Sequence, residues 1–458
     1  MTERTDAKLT LWPGVGLVAA NMIGAGVFLS AGFMAQSLGP GTILLAWVVG
    51  MALALCGALA YAELARLVPR SGGEYRYLSD LLHPSLGFLA GWASLLVGFS
   101  APIAIDALAA GAFARTVFPA LSPAWTGAAL VVILTALHAA GLRTSARAQN
   151  ALVVVKALLL VGFVAVGLVQ GSHALPTWTP PSGGGPAALP FASSLFFIAF
   201  AFSGWNAVAY AAEEFREPAR TVPRAMLLGC LLVGALYLLV NAIFVFNLTP
   251  ADATVVFGYD QLASGGAAET SQVTLAHALV ARLLGAGSGA VMSLFTVAVF
   301  VSAMSAMIFV GPRVYAAMAR DGYLPRVLAG QEGKPPLGAV LLQGGLALLI
   351  LGTHQLRDIL GNVGAVLTFF AALTVLGLFR AALRPGDGPR PRALALAAAA
   401  VYAISAAGLM IAFGLWGKLE SLAWIGVTVA VGLGAYGVSV LARRRQAAPA
   451  AGASRQAA

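Results

Sequence analysis

The sequence predicts an all-α integral membrane protein with twelve transmembrane helices, and three observations carry that prediction. The 458 residues are 60% hydrophobic and only 10% charged, whereas soluble domains carry about 25% charged residues. Apolar runs of about 20 residues, the length a helix needs to cross a bilayer, recur along the chain. The basic residues between those runs collect in every second loop, which is the positive-inside bias of membrane proteins.

The helices are expected at roughly 11–38, 41–67, 82–110, 124–141, 149–171, 188–212, 223–247, 286–312, 336–353, 358–380, 393–415 and 420–442. Met1 to Lys8 is polar, and the apolar stretch behind it is too long for the h-region of a cleavable signal peptide. The first helix carries Ile23-Gly24-Ala25-Gly26-Val27 at its middle, and the second ends with Glu63 and Arg66. The third carries Asp106 near its outer end, the fourth ends at His138, and the fifth carries Lys156. The sixth is interrupted by Phe202-Ser203-Gly204-Trp205-Asn206, and the eighth carries Ser302 and Ser305. Between the seventh and eighth lies the longest outer loop, Thr249 to Arg282, where the amphipathic stretch from Val273 to Leu284 predicts a short helix. After the twelfth, the Ala-rich tail from Gln446 to Ala458 reads as disordered.

The formal charge of +10 is distributed too regularly to signal a nucleic-acid partner. Arg4, Lys8, Arg66, Arg70, Arg76, Arg143, Arg147, Arg216, Arg220 and Arg224 fall on one side of the membrane. So do Arg313, Arg320, Arg326, Lys334, Arg380, Arg384, Arg390, Arg392 and Arg443 to Arg445, while Arg115, Arg282, Arg357 and Lys418 oppose them. That asymmetry puts both termini in the cytoplasm. Cys56 and Cys230 lie within spans and read as small buried side chains with no disulfide or metal role. His138 and His277 have no metal-ligand spacing, so no metal or cofactor is called for.

The two interruptions are the most informative feature. A glycine destabilises a helix interior by up to about 1 kcal/mol relative to alanine. Unpaired backbone groups facing lipid cost several kcal/mol each, so such breaks persist only where they line a cavity. The half-helix after a break offers free N–H groups and a positive dipole end to a carboxylate. The half-helix before it offers carbonyls to an ammonium, so two breaks make a site for a zwitterion. On this reading the carboxylate sits on the amides of Gly24 to Val27, with the amine near carbonyls such as Ile23 and Phe200. Ser203, Gly204 and Asn206 complete the substrate contacts, Phe200 and Trp205 form the gate, and no residue is catalytic. The competing reading is close helix packing by small residues. Paired interruptions about 180 residues apart in the first and sixth helices favour the site. Of the nearby aromatics Phe196, Phe197, Phe200 and Phe202, most read as packing or lipid contacts.

Lys156 lies several residues into the fifth helix, and an ionisable side chain there is a functional hypothesis by default. It is read as the coupling residue, either a proton carrier or a fixed charge in the place of a coupling sodium; the alternative is snorkelling to water. Ser302 and Ser305 are read as facing it, or as bonding to their own helix. Asp106 is read at the water interface, or as lining an entry path for cations. Glu63, Glu213 and Glu214 beside Arg66, Arg216 and Arg220 are read as an inner latch or as interfacial pairs worth little each.

Four segments resemble one known family. They are Ile23-Gly-Ala-Gly-Val-Phe28; Tyr61-Ala-Glu63-Leu-Ala-Arg66-Leu-Val-Pro69-Arg70-Ser71-Gly72-Gly73-Glu74-Tyr75; Gly204-Trp205-Asn206 with Glu213-Glu214, Pro218, Arg220 and Pro223-Arg224-Ala225; and Pro312-Arg313-Val-Tyr315 through Arg320-Asp321-Gly322 to Pro325. They resemble the amino acid–polyamine–organocation (APC) superfamily from about Leu11 to Ala442, most nearly its L-amino-acid and cationic amino acid transporter branches. The resemblance implies the LeuT-type fold: residues 11–171 and 188–380 as 5+5 inverted repeats, 393–442 as two added helices, and 1–10 and 443–458 as cytoplasmic ends. It implies sodium-independent, alternating-access transport of small or neutral L-amino acids, by exchange or proton coupling. It also implies that Lys156 bridges helices one, five and eight. Ala207 stands where large-substrate members can carry an aromatic, so it bears on pocket size. Animal members pair with a single-span partner through a loop cysteine; Cys56 and Cys230 are not in loops, so no partner subunit is expected. The other readings are a cationic amino acid or polyamine antiporter, which needs more pocket acids than Asp106, and a non-transporting sensor. An intramembrane enzyme finds no paired acids or nucleophile–base pair to support it.

Overall fold

The structure is a computed structural model that describes residues 8–24, 26–180, 188–254, 274–331, 334–353, 356–385, 389–415 and 419–456. Arg4, Ala25 and Lys418 lie outside the described residues, as do the side chains of Arg143, Phe196, Arg357, Arg444 and Arg445.

Proline writes several of the helix starts, since its missing N–H falls where the first turn has no acceptor for it. Pro40, Pro84, Pro123 and Pro218 each stand in the opening turn of a long helix. In chain order the elements are α1 (Leu11–Met22), α2 (Gly26–Ala35), α3 (Pro40–Leu67), α4 (Glu74–Leu81), α5 (Pro84–Ala93), α6 (Ala101–Val117), α7 (Pro123–Ala139) and α8 (Leu142–Gln170). There follow α9 (Ala188–Ala201), α10 (Ala207–Tyr210), α11 (Pro218–Asn247), α12 (Pro250–Thr254), α13 (Leu275–Leu284) and α14 (Gly289–Arg320). The chain closes with α15 (Leu337–Thr353), α16 (Leu356–Val375), α17 (Gly377–Ala382), α18 (Ala393–Leu415) and α19 (Leu419–Gln456).

Seven described helices are long and apolar enough to cross a membrane: Pro40–Leu67, Pro84–Val117, Arg147–Gln170, Pro218–Asn247, Gly289–Arg320, Ala393–Ala412 and Ile425–Arg443. The first and sixth expected segments are each split in two, and those expected fourth, ninth and tenth form shorter apolar helices. The outer faces are apolar: Ile133, Leu158, Val161, Ile404 and Val438 point outward. Buried positions meanwhile include Glu74, Asp106, Lys156 and Arg313. This inside-out polarity is what a lipid solvent selects.

Two features differ from the sequence expectation. The last helix continues to Gln456 where a disordered tail is expected, in keeping with the high helix propensity of its alanines. The third span contains a π-helical turn, Ser94–Ser100, between α5 and α6. Ser100 Oγ donates to the Leu95 carbonyl at 2.6 Å there, and such turns recur at functional sites.

The split helices occupy the centre. α1 packs on α8, α11 and α14, and α9 packs on α2, α3 and α18. One end of the bundle carries ion pairs. Arg313 meets Glu214 at 2.6 Å, Arg76 meets Asp321 at 2.9 Å and Arg320 meets Glu213 at 3.3 Å. Leu9 lies against the segment after α10, donating to the Glu214 carbonyl at 2.8 Å and accepting from the Arg216 amide at 2.9 Å. Glu63 takes the expected Arg66, but Glu213 and Glu214 take cations from α14, and Arg220 takes Glu217. These pairs therefore join distant helices.

Candidate functional site

Ile23 adopts an extended conformation that ends α1, and the chain resumes as α2 at Gly26. Across from it, α9 ends at Ala201, and turns through 202–206 lead into α10. The two breaks touch. A Cβ on Gly204 would lie 2.9 Å from the Asn21 carbonyl carbon, and the φ of Gly204 is +103°, so this position requires glycine twice over. A Cβ on Gly26 would lie 2.7 Å from Ala201 Cα, so Gly26 serves close packing of α2 on α9. A Cβ on Gly24 would meet nothing within 4 Å. Gly24 faces open space.

That space is a cavity of about 160 Å³. Its wall includes Gly24, Gly26, Phe200, Ser203, Gly204, Trp205 and Asn206 from the expected set. It also includes Asn21, Glu74, Phe99, Asp106, Ala199, Tyr210 and Tyr402. Val27 is fully buried and Ala207 sits at zero exposure; neither lines the cavity, so the influence of Ala207 on pocket size is at most indirect. Asp106, read at a water interface, is instead buried in the wall.

Each helix end leaves four carbonyls without a helical partner, and where these go decides what the site offers. Lys156 Nζ donates to Ile23 O at 2.6 Å and to Ala20 O at 3.0 Å. Tyr237 Oη donates to Met22 O at 2.6 Å and reaches Ala201 O at 3.2 Å, joining the two severed ends. Ile23 O is therefore already engaged, and Phe200 O accepts from the Ser203 amide at 3.0 Å. The carbonyl of Ala199, on the cavity wall, accepts none of the described hydrogen bonds. That unpaired carbonyl stands one residue before the expected Phe200. At the other break, the amides that open α2 have no acceptor within their own helix.

Ser305 Oγ is held by Gln149 Oε1 at 2.5 Å and lies 2.8 Å from His138 Nε2, and Ser302 Oγ is buried without a partner among the described residues. Among the described residues neither serine bonds Lys156, whose amine joins α8 to α1. Trp205 is wedged edge-on against Tyr61, with ring centroids 4.6 Å apart, and against Tyr402 at 6.2 Å. Asn206 Nδ2 donates to Glu74 Oε1 and to Tyr210 Oη, the latter at 2.9 Å. The described residues hold no group of three or more metal-ligating side chains.

The family model for amino acid permeases matches residues 9–433. The chain belongs to the amino acid permease family. The permease is similar to the large neutral amino acids transporter small subunit 2 of Rattus norvegicus, with 29% identity over 429 residues, covering 90% of the permease and 76% of that relative. It is similar to the Asc-type amino acid transporter 1 of Mus musculus, with 28% identity covering 88% and 77%. An uncharacterized transporter of Mycobacterium bovis is 32% identical over 449 residues, covering 96% and 92%. These relatives are transporters, and the permease is a multi-pass membrane protein of the same kind.

Sequence reasoning missed Asn21, Glu74, Ala199 and Tyr237. Asn21 had a usable signal, a polar side chain two residues before a break. Its amide nitrogen is buried with no partner among the described residues, on the cavity wall.

Proposed function

We propose that the permease carries small or neutral L-amino acids across the cell membrane by sodium-independent alternating access. The observation that carries this is the contact between the two helix breaks around one cavity, with free amides on α2 and an open carbonyl at Ala199. The substrate carboxylate takes the amides around Gly24, and its ammonium takes Ala199 O. Phe200 is the lid, and Trp205 backs the cavity. Lys156 is a fixed cation at the negative end of the α1 dipole, in the place a coupling sodium would fill. The names of the relatives, large neutral amino acids and Asc-type, support the substrate class.

The chain is taken to cross the membrane twelve times with both termini cytoplasmic, residues 11–171 and 188–380 being inverted repeats and 393–442 two added helices. It is taken to work without a partner subunit. Both cysteines lie in helices, Cys230 fully buried and Cys56 half-buried, which leaves no loop thiol for a bridge. The cationic-substrate reading gains one observation: Glu74 as well as Asp106 lines the cavity.

Counterflow tests the proposal. The purified chain alone, in proteoliposomes preloaded with unlabelled alanine or leucine, is expected to take up the labelled amino acid equally in sodium and choline buffers. Absence of counterflow for alanine, leucine and arginine alike removes the transport reading. A sodium requirement removes the role given to Lys156.

A further inference from the structure

Ser71-Gly72-Gly73-Glu74 precedes α4 and forms the seat on which α10 docks. The Gly72 amide donates to the Tyr210 carbonyl at 3.2 Å, and Ser71 Oγ accepts from the Glu213 amide at 2.9 Å. Gly73 has φ +52°, and a Cβ there would lie 2.4 Å from a Tyr210 ring carbon, so only glycine admits this approach. The result is to carry the Glu74 carboxyl under the second break, onto the wall of the cavity. One carboxyl oxygen, Oε1, accepts from Tyr61 Oη at 3.0 Å and from Asn206 Nδ2. The other, Oε2, is buried with no hydrogen-bond partner among the described residues.

Among the described residues no cation faces this carboxyl. The titratable groups around it are phenols: Tyr61 on α3, Tyr77 on α4, Tyr210 on α10 and Tyr402 on α18, with Tyr315 of α14 behind Tyr210. Arg76, two residues along, is committed to Asp321 at 2.9 Å and Asp80 at 3.9 Å. Arg384 bonds the backbone at the far end of α4, and Arg70 bonds Asp80. An ionised carboxylate buried without a counter-charge is costly, and the group accepts a proton or a cationic ligand instead. Burial accordingly pushes the Glu74 carboxyl above the usual carboxylate range, more than its hydrogen bonds pull it down.

We propose that Glu74 is the proton-binding site of the permease, neutral while α10 is docked on α4 and ionised when that docking opens to water. This rests on the amino acid transport reading given above. The proton reaches the Glu74 carboxyl from the cavity, which Glu74 lines. It is released to water when the side joined by the Arg313–Glu214 and Arg76–Asp321 pairs opens, and the returning carrier leaves Glu74 to be reprotonated. Because the docked state is the one that binds the proton, acid on the cavity side stabilises it, and a proton gradient drives accumulation.

The test compares wild type with Glu74→Gln in proteoliposomes, with a second measurement on purified protein. Glutamine keeps the acceptor for Tyr61 and Asn206 and mimics the neutral carboxyl. The expected result is that Glu74→Gln loses at least tenfold more of the accumulation driven by a pH gradient than of its counterflow, together with the pH dependence of its rate. Infrared spectra of the purified proteins at neutral pH are expected to show a protonated-carboxyl carbonyl band in wild type that Glu74→Gln lacks. Accumulation unchanged in Glu74→Gln, or an identical band in both proteins, overturns the proposal. Wild type with counterflow but no gradient-driven accumulation also overturns it while leaving amino acid transport standing; absence of counterflow in wild type defeats the transport reading, and the band then decides whether Glu74 holds a proton. Glu74→Gln losing uptake of lysine alone, with alanine uptake and its pH profile intact, makes the carboxyl an ammonium subsite and equally overturns it.

Discussion

Substitution of Gly24 by valine separates a binding cradle from a packing contact, because the structure assigns the two roles to different glycines. Gly26 is the packing glycine: any side chain there meets Ala201 within 2.7 Å, so Gly26→Leu disturbs α2 against α9 whatever the site does. Gly24 has open space beyond its Cα and no left-handed φ, so the Cβ of Gly24→Val meets no neighbour. Its isopropyl group instead occupies the cavity beside the amides that open α2. Hydrogen bonds to a charged group contribute about 1.5–3 kcal/mol each, and a carboxylate on this edge makes about two. Losing both weakens binding by about 3–6 kcal/mol, at least a hundredfold at about 1.4 kcal/mol per factor of ten. Thermal stability is expected to stay within about 4 °C, since replacing a glycine of compatible φ changes stability by only about 1 kcal/mol. Affinity is read by equilibrium binding of labelled substrate in detergent, and stability by a melting curve of the same preparation. Affinity within threefold of wild type at unchanged Tm would refute the placement of the carboxylate.

Three further substitutions address the supports of the site. Lys156→Met removes both donors to Ala20 and Ile23 while keeping an unbranched side chain. Each buried carbonyl left unpaired costs about 1–3 kcal/mol, so a clear drop in Tm and loss of transport are expected; unchanged turnover would remove Lys156 from the account. Tyr237→Phe deletes only the hydroxyl that joins Met22 O to Ala201 O. A loss of about 1–3 kcal/mol is expected, with substrate protection against melting reduced; an unaltered melting curve would show that the bridge does nothing. Gly204→Ala meets both a forbidden φ and the Asn21 backbone. It is expected to cost about 1–3 kcal/mol in backbone strain alone and to abolish binding, and a normally binding Gly204→Ala protein would contradict the geometry of the second break.

The breaks at Gly24–Gly26 and Gly204 were legible because glycine inside an apolar run has a stated energetic cost that only a cavity excuses. Lys156 was legible for the same kind of reason, as a charge in a lipid-length helix. Their partners were not. Which carbonyls Lys156 and Tyr237 satisfy depends on α8 and α11 crossing α1 at one level, and nothing local in the sequence encodes that level. The engagement of Ile23 O was hidden for the same reason: it looks free until Lys156 is brought to it. Glu74 was hidden differently. In sequence it belongs to a polar connection between two spans, and only the docking of Tyr210 on Gly73 carries it to the cavity. The π-helical turn at Ser94–Ser100 left no sequence mark, since its residues would serve equally well in an α-helix.

The central claim is that backbone groups at two helix breaks recognise the two ends of an amino acid. The most direct measurement is competition against a bound neutral L-amino acid by three relatives of it: the amide, the deaminated acid and the D-enantiomer. The account predicts that the parent displaces label fully, while the amide and the deaminated acid are weakened at least tenfold each and the D-enantiomer less severely. Equal displacement by the amide or by the deaminated acid would contradict it, because one end of the zwitterion would then go unread.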